Sequence, residues 1–95
     1  MDFLVHIINQ APVTLQGKEL EELVKAESGR AKVLAEQGVL FKLWRIAGKR
    51  ENVGIWRAKD ANELHAALSS LPFFPYLQID VLSLAEHPND PRKDL

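Results

Sequence analysis

The stretch Val39-Leu40-Phe41-Lys42-Leu43-Trp44-Arg45-Ile46-Ala47-Gly48-Lys49-Arg50-Glu51-Asn52-Val53-Gly54-Ile55-Trp56-Arg57-Ala58 decides the fold. Its flanks, 39–47 and 53–58, are apolar runs with aromatic and β-branched residues, and Gly48 to Asn52 between them is turn-like. Two such runs across a short polar turn predict a pair of antiparallel strands. Working outward, Leu20, Leu23, Val24, Ala31, Leu34 and Ala35 recur at three-and-four spacing between Gly17 and Gln37. That is a helix period, and Gly38 suits its C-terminus. On the other side, Asp60 followed by Glu63 is a capping-box-like start. Leu64, Ala67, Leu68 and Leu71 supply the apolar stripe of this second helix, and Pro72 and Pro75 stop it. The outermost runs, Phe3–Asn9 and Tyr76–Leu84, read as strands. The order is βαββαβ, an α+β, ferredoxin-like antiparallel sheet with both helices on one face.

With 95 residues the chain is expected to form one domain, 1–95, in which 86–95 is a polar, proline-containing extended tail. Twelve Lys and Arg against thirteen Asp and Glu give a net charge of −1, so no basic field is available for nucleic acid. Cysteine is absent, which removes disulfides, thiolate metal sites and thiol nucleophiles. No apolar run approaches the roughly 20 residues of a membrane span. Met1-Asp2-Phe3 lacks a signal-peptide start, and the expectation is a cytoplasmic protein.

The first strand is apolar on both sides, with Phe3, Val5 and Ile7 against Leu4 and Ile8. Tyr76, Leu82 and Leu84 add apolar weight to the second face of the last strand. A sheet apolar on both faces needs cover on both. A chain this short also buries only about 60–65% of its unfolded surface alone. The expectation is a homo-oligomer built on sheet-to-sheet contact.

Glu27 is the most informative polar residue. Heptad counting from Leu20 passes through Glu27 to Leu34, with Val24 and Ala31 beside it, so a carboxylate stands where the helix period calls for an apolar side chain. Burial raises a carboxyl pKa towards the range of a general base or acid. The bland alternative is a boundary glutamate that reaches water or pairs with Arg45 or Lys42. Arg45 alternates with Phe41, Leu43 and Ala47 on one face of its strand, which predicts a carboxylate partner from ligand or protein, Glu27 and Asp80 being the protein candidates. Trp44, Trp56 and His6 read first as core or interface residues. The histidines His6, His65 and His87 fall in separate elements without metal-ligand spacing, so no metal is expected. Neither a nucleophile elbow nor a phosphate-cradling glycine loop is present.

At Leu43-Trp44-Arg45-Ile46-Ala47-Gly48 and Leu71-Pro72-Phe73-Phe74-Pro75-Tyr76-Leu77 the chain resembles the muconolactone isomerases. Lys25-Ala26-Glu27, Glu63-Leu64-His65 and His87-Pro88 fit the same pattern, and the resemblance runs nearly end to end. Position 6 is His where relatives often carry Lys or Arg, and Ser28 stands where they often have Lys. The resemblance implies a cofactor-free isomerase of the β-ketoadipate pathway of catechol breakdown, converting muconolactone to the 3-oxoadipate enol-lactone. It also implies a dimeric α+β-barrel type subunit within a decamer, whose active sites lie near subunit contacts and whose tail covers a neighbour's site.

Shifting a double bond within an unsaturated lactone needs a base that removes and returns a carbon-bound proton, and donors for the dienolate oxygen. Glu27 is expected as that base. Arg45 and His6 would bind the carboxylate or oxyanion, Asn52 and Tyr76 would add hydrogen bonds, and Trp44 would form a wall. Two alternatives stand beside this reading. One is a related lactone enzyme acting on chloro- or methyl-muconolactone, as a dehalogenase in the chlorinated case. The other is a non-catalytic oligomeric ligand-binding protein, favoured if Glu27 is fully exposed and no pocket adjoins Arg45.

Overall fold

Strand β1 (Asp2–Asn9) runs through the interior of the sheet, and its alternation of side chains explains why. Phe3, Val5 and Ile7 point to one side and are at most 5% exposed. A strand with this much apolar surface needs neighbours on both edges. They are β3 (Glu51–Arg57) and β4 (Leu77–Leu84), both antiparallel to it. β2 (Leu40–Arg45) pairs antiparallel with β3, giving the order β2-β3-β1-β4 in a four-stranded sheet. The computed structural model describes residues 1–93.

Helix α1 (Gly17–Glu36) connects β1 to β2, and α2 (Ala61–Ser69) connects β3 to β4 through a 3-10 turn at Phe74–Tyr76. One core joins Phe3, Val5, Ile7 and Trp56 of the sheet to Leu34 of α1 and Leu64, Ala67 and Leu68 of α2. Both helices therefore cover the same face, as the element order predicts. The start of α2 is the expected cap: Asp60 Oδ1 accepts from the Glu63 amide at 2.9 Å, and Glu63 Oε1 accepts from the Lys59 amide. Gly54 faces the helices between Val5 and Leu43, where a Cβ would collide with the Lys42 carbonyl. Glycine there lets β2 and β3 close up.

Three local readings are corrected. The hairpin loop is Ile46–Arg50, not 48–52: the Ile46 amide donates to the Glu51 carbonyl at 3.1 Å, and Gly48 makes the turn at φ 78. Asn52 is consequently a strand residue, paired with Arg45 across the ladder. A bulge between Leu40 and Lys42 breaks the alternation of β2, so Phe41 does not share a face with Leu43. Its ring lies under the Arg57 guanidinium instead, 3.6 Å from centroid to Cζ. Tyr76 ends the 3-10 turn rather than opening β4, because the paired prolines Pro72 and Pro75 hold the chain in turns until Leu77.

The other sheet face carries Leu4, His6 and Ile8 of β1 with Val53 and Ile55 of β3, half-buried, and Leu82 of β4, 61% exposed. Its apolar content matches the sequence reading. Beyond β4, residues 85–93 are exposed and form neither helix nor strand. The tail is locally turned rather than extended, since His87 accepts from both the Asn89 and Asp90 amides. Asp94 and Leu95, the end of the expected tail, lie outside the described residues.

Candidate active site

Helix α1 is packed unevenly along its length. Leu34, near the C-terminal end, is 1% exposed, whereas Val24 is 48% exposed and Leu20 and Glu27 are half-buried. The N-terminal part thus stands off the sheet. Between it, the helix-facing side of the sheet and the segment after α2 is a cavity of about 320 Å³. Ile7, Leu20, Val24, Phe73 and Leu77 give it apolar walls, while Glu27, Arg45, Arg50 and Asn52 bring polar groups to it. An apolar recess with a few convergent polar groups is the usual form of a small-molecule site.

Glu27 reaches this place because the helix period points it at the sheet. Its Oε1 accepts a hydrogen bond from the Phe73 amide at 3.0 Å. That amide is free because Pro72 turns the chain out of α2, and the bond spans 46 positions of sequence. Burial pushes the Glu27 carboxyl above its ordinary range, and the Phe73 N–H offsets part of the rise by favouring the charged form. Among the described residues Glu27 makes no ion pair within 4.0 Å with Arg45 or Lys42, so the bland reading of a paired glutamate fails.

Arg45, the last residue of β2, and Asn52 are partners across the ladder, and both line the cavity. The Arg45 guanidinium has no carboxylate within 4.0 Å among the described residues, neither Glu27 nor Asp80. Asn52 Oδ1 is buried without a hydrogen-bond partner among them. A buried amide oxygen left unpaired is costly, and such a group calls for a donor from bound water or a ligand.

The remaining expected site residues lie elsewhere in this chain. His6 falls on the opposite face of the sheet, because β1 turns its odd-numbered residues to the helices. Its Nε2 is 2.8 Å from Glu51 Oε1, and Asp80 is its cross-strand partner on β4. Trp44 is also on that face, paired with Val53, with the Lys42 ammonium 5.4 Å from its ring centroid. Tyr76 lines a separate groove of about 400 Å³ with Leu15, Leu23, Pro72 and Pro75. The acids of that groove, Glu19 and Glu22, are exposed, and Glu22 Oε1 lies 4.0 Å from the Lys18 ammonium one turn earlier on α1.

Two contributors escaped the sequence reading. Arg50 looked like part of a turn, yet it lies two residues before Asn52 and so takes the same side of β3. Running the alternation of β3 backwards from Asn52 finds it. The Phe73 amide is a main-chain group that no side-chain pattern signals. No cluster of three or more His, Asp or Glu side chains suited to a metal ion occurs among the described residues. No helix among them is long and apolar enough to cross a membrane.

The sequence and the fold have counterparts among known proteins. Muconolactone Delta-isomerase of Acinetobacter baylyi is 32% identical over 94 residues, covering 99% of this chain and 98% of that protein. The Pseudomonas aeruginosa protein of the same name is 33% identical over 94 residues, with the same coverage. A crystal structure of muconolactone isomerase superposes with a TM-score of 0.90 at 33% identity, covering 99% of this chain and 98% of the other. The family model described as muconolactone delta-isomerase matches residues 1–90, and the chain belongs to that family.

Proposed function

We propose that the protein is a cofactor-independent isomerase that moves the ring double bond of muconolactone, with Glu27 as the proton carrier. One observation carries this reading: a half-buried carboxylate, unpaired with any cation among the described residues, lines a cavity together with two arginines. The Glu27 carboxylate takes the proton from the saturated ring carbon that bears the acid side chain. The C–H electrons pass into the ring and onto the lactone carbonyl oxygen, giving a dienolate. The same carboxyl then returns the proton to the carbon next to the carbonyl. The double bond has moved, atoms balance, and no redox partner is required. Desolvation makes the carboxylate a stronger base than one in water, while the Phe73 N–H fixes its orientation. In this reading the Asn52 side-chain N–H donates to the lactone oxygen, where charge develops, and Arg45 receives the acid side chain; that both residues line the cavity supports it.

The test is Glu27→Gln, which keeps an acceptor for the Phe73 amide and removes the base. Turnover of muconolactone, followed by ultraviolet absorbance, is expected to fall about 10²- to 10⁴-fold. Near-normal turnover would overturn the assignment. The variant is not expected to melt lower than the parent. A carboxyl whose folded pKa is raised favours folding while protonated, and that contribution is lost as pH rises through the folded value. Glutamine escapes this loss. The acidic limb of the rate profile should accordingly lie above the ordinary carboxylate range.

Assembly belongs to the same proposal. The apolar outer face of the sheet supports a homo-oligomer formed by sheet-to-sheet contact, a decamer being the expected size, with the tail after His87 lying against a neighbour.

A further inference from the structure

The β2–β3 hairpin brings two arginines to the lining of one cavity, Arg45 from the end of β2 and Arg50 from the residue before β3. Alternation puts Arg50 on the side of Asn52 and turns the next residue, Glu51, to the opposite face, where it is occupied with His6. The backbone of Arg50 is fixed by the Asn9 amide, which donates to its carbonyl at 3.0 Å, so its side chain starts from a held position. Among the described residues neither arginine has a carboxylate within 4.0 Å, although Glu27 lines the same cavity. Among the described residues, then, no carboxylate competes with a ligand for either cation.

A carboxylate base and a negatively charged substrate must share this small space, and like charges there oppose binding. The two arginines of the cavity supply the opposing charge, and neither is paired with Glu27 among the described residues. We propose that Arg50 is a specificity-determining residue, which with Arg45 holds the acid side chain of the lactone at the cavity rim and selects acids over neutral lactones. This rests on the isomerase reading above. Arginine suits the task because its planar fork binds a carboxylate in two places and stays charged at every working pH.

The experiment compares muconolactone with its methyl ester in the parent protein and in Arg50→Gln, Arg50→Lys and Glu27→Gln. Arg50 is exposed, so its substitution does not threaten the fold. In Arg50→Gln the KM for the acid should rise about tenfold, a typical loss for a hydrogen bond to a charged group. The change in kcat should be much smaller, and the preference for acid over ester should shrink by about the same tenfold. Arg50→Lys should restore part of that preference, as a point charge without the fork. An acid-over-ester preference identical in Arg50→Gln and parent overturns the inference, even while Glu27→Gln has lost turnover. Full turnover by Glu27→Gln overturns the isomerase mechanism instead, so the two failures are distinguishable.

Discussion

The two helices invest their residues differently. α2 has nine residues and buries three of them, Leu64, Ala67 and Leu68. α1 has twenty and buries one, Leu34. By length the first helix should dominate the core, but it covers the sheet with one end and leaves the other end open over a cavity. The short helix closes the fold, and the long one spends most of its inward face on a site. Glu27 sits where α1 leaves the sheet, which gives a carboxyl partial burial without enclosure. A helix packed as tightly as α2 would have offered it no room for a substrate.

Substitutions on the two helices should separate these roles. The largest effect on stability is expected for Leu68→Ala in α2, which removes a side chain only 4% exposed in the shared core. Its cost should be about 2–5 kcal/mol by denaturant titration, with turnover per folded molecule retained. Opening the β2–β3 contact comes next. Gly54→Ala forces a Cβ against the Lys42 carbonyl and should cost about 1–3 kcal/mol. Because the displaced strands carry Arg45 and Asn52, it should also raise KM, which Leu68→Ala should not. The smallest effect belongs to Val24→Ala on α1. Val24 is 48% exposed, and alanine is the better helix former, so stability should move by less than about 1 kcal/mol. An equal loss from Val24→Ala and Leu68→Ala would abolish the contrast between the helices.

The sequence carried the architecture because each element had a physical signature. Period-two alternation marked β1, the three-and-four stripe marked both helices, and the Asp60–Glu63 cap marked the start of α2. Glu27 was legible for the same reason, as an acid on an apolar stripe. The polar side of the site was harder to read. Whether a strand residue lines the cavity depends on which face it takes, and one bulge or one residue of turn reverses that. The bulge after Leu40 moved Phe41, and the loop, shifted two residues towards the N-terminus, put Asn52 in the strand on the cavity side with Arg50. His6 and Trp44 were linked to the site by family likeness, yet β1 and β2 turn both to the far side of the sheet in the chain itself. Tyr76 was displaced by local proline geometry, which a strand pattern does not reveal.

The contact between Glu27 and the Phe73 amide also makes the protein its own indicator. An amide proton that donates to a carboxylate shifts its magnetic resonance frequency when the carboxylate takes up a proton. Among the described residues the other backbone amides that donate to a titratable side chain do so across four positions or fewer. The Phe73 resonance would therefore trace the charge on Glu27 without a label, and a ligand entering the cavity would displace that trace along the pH axis. Occupancy and protonation could then be followed on one signal.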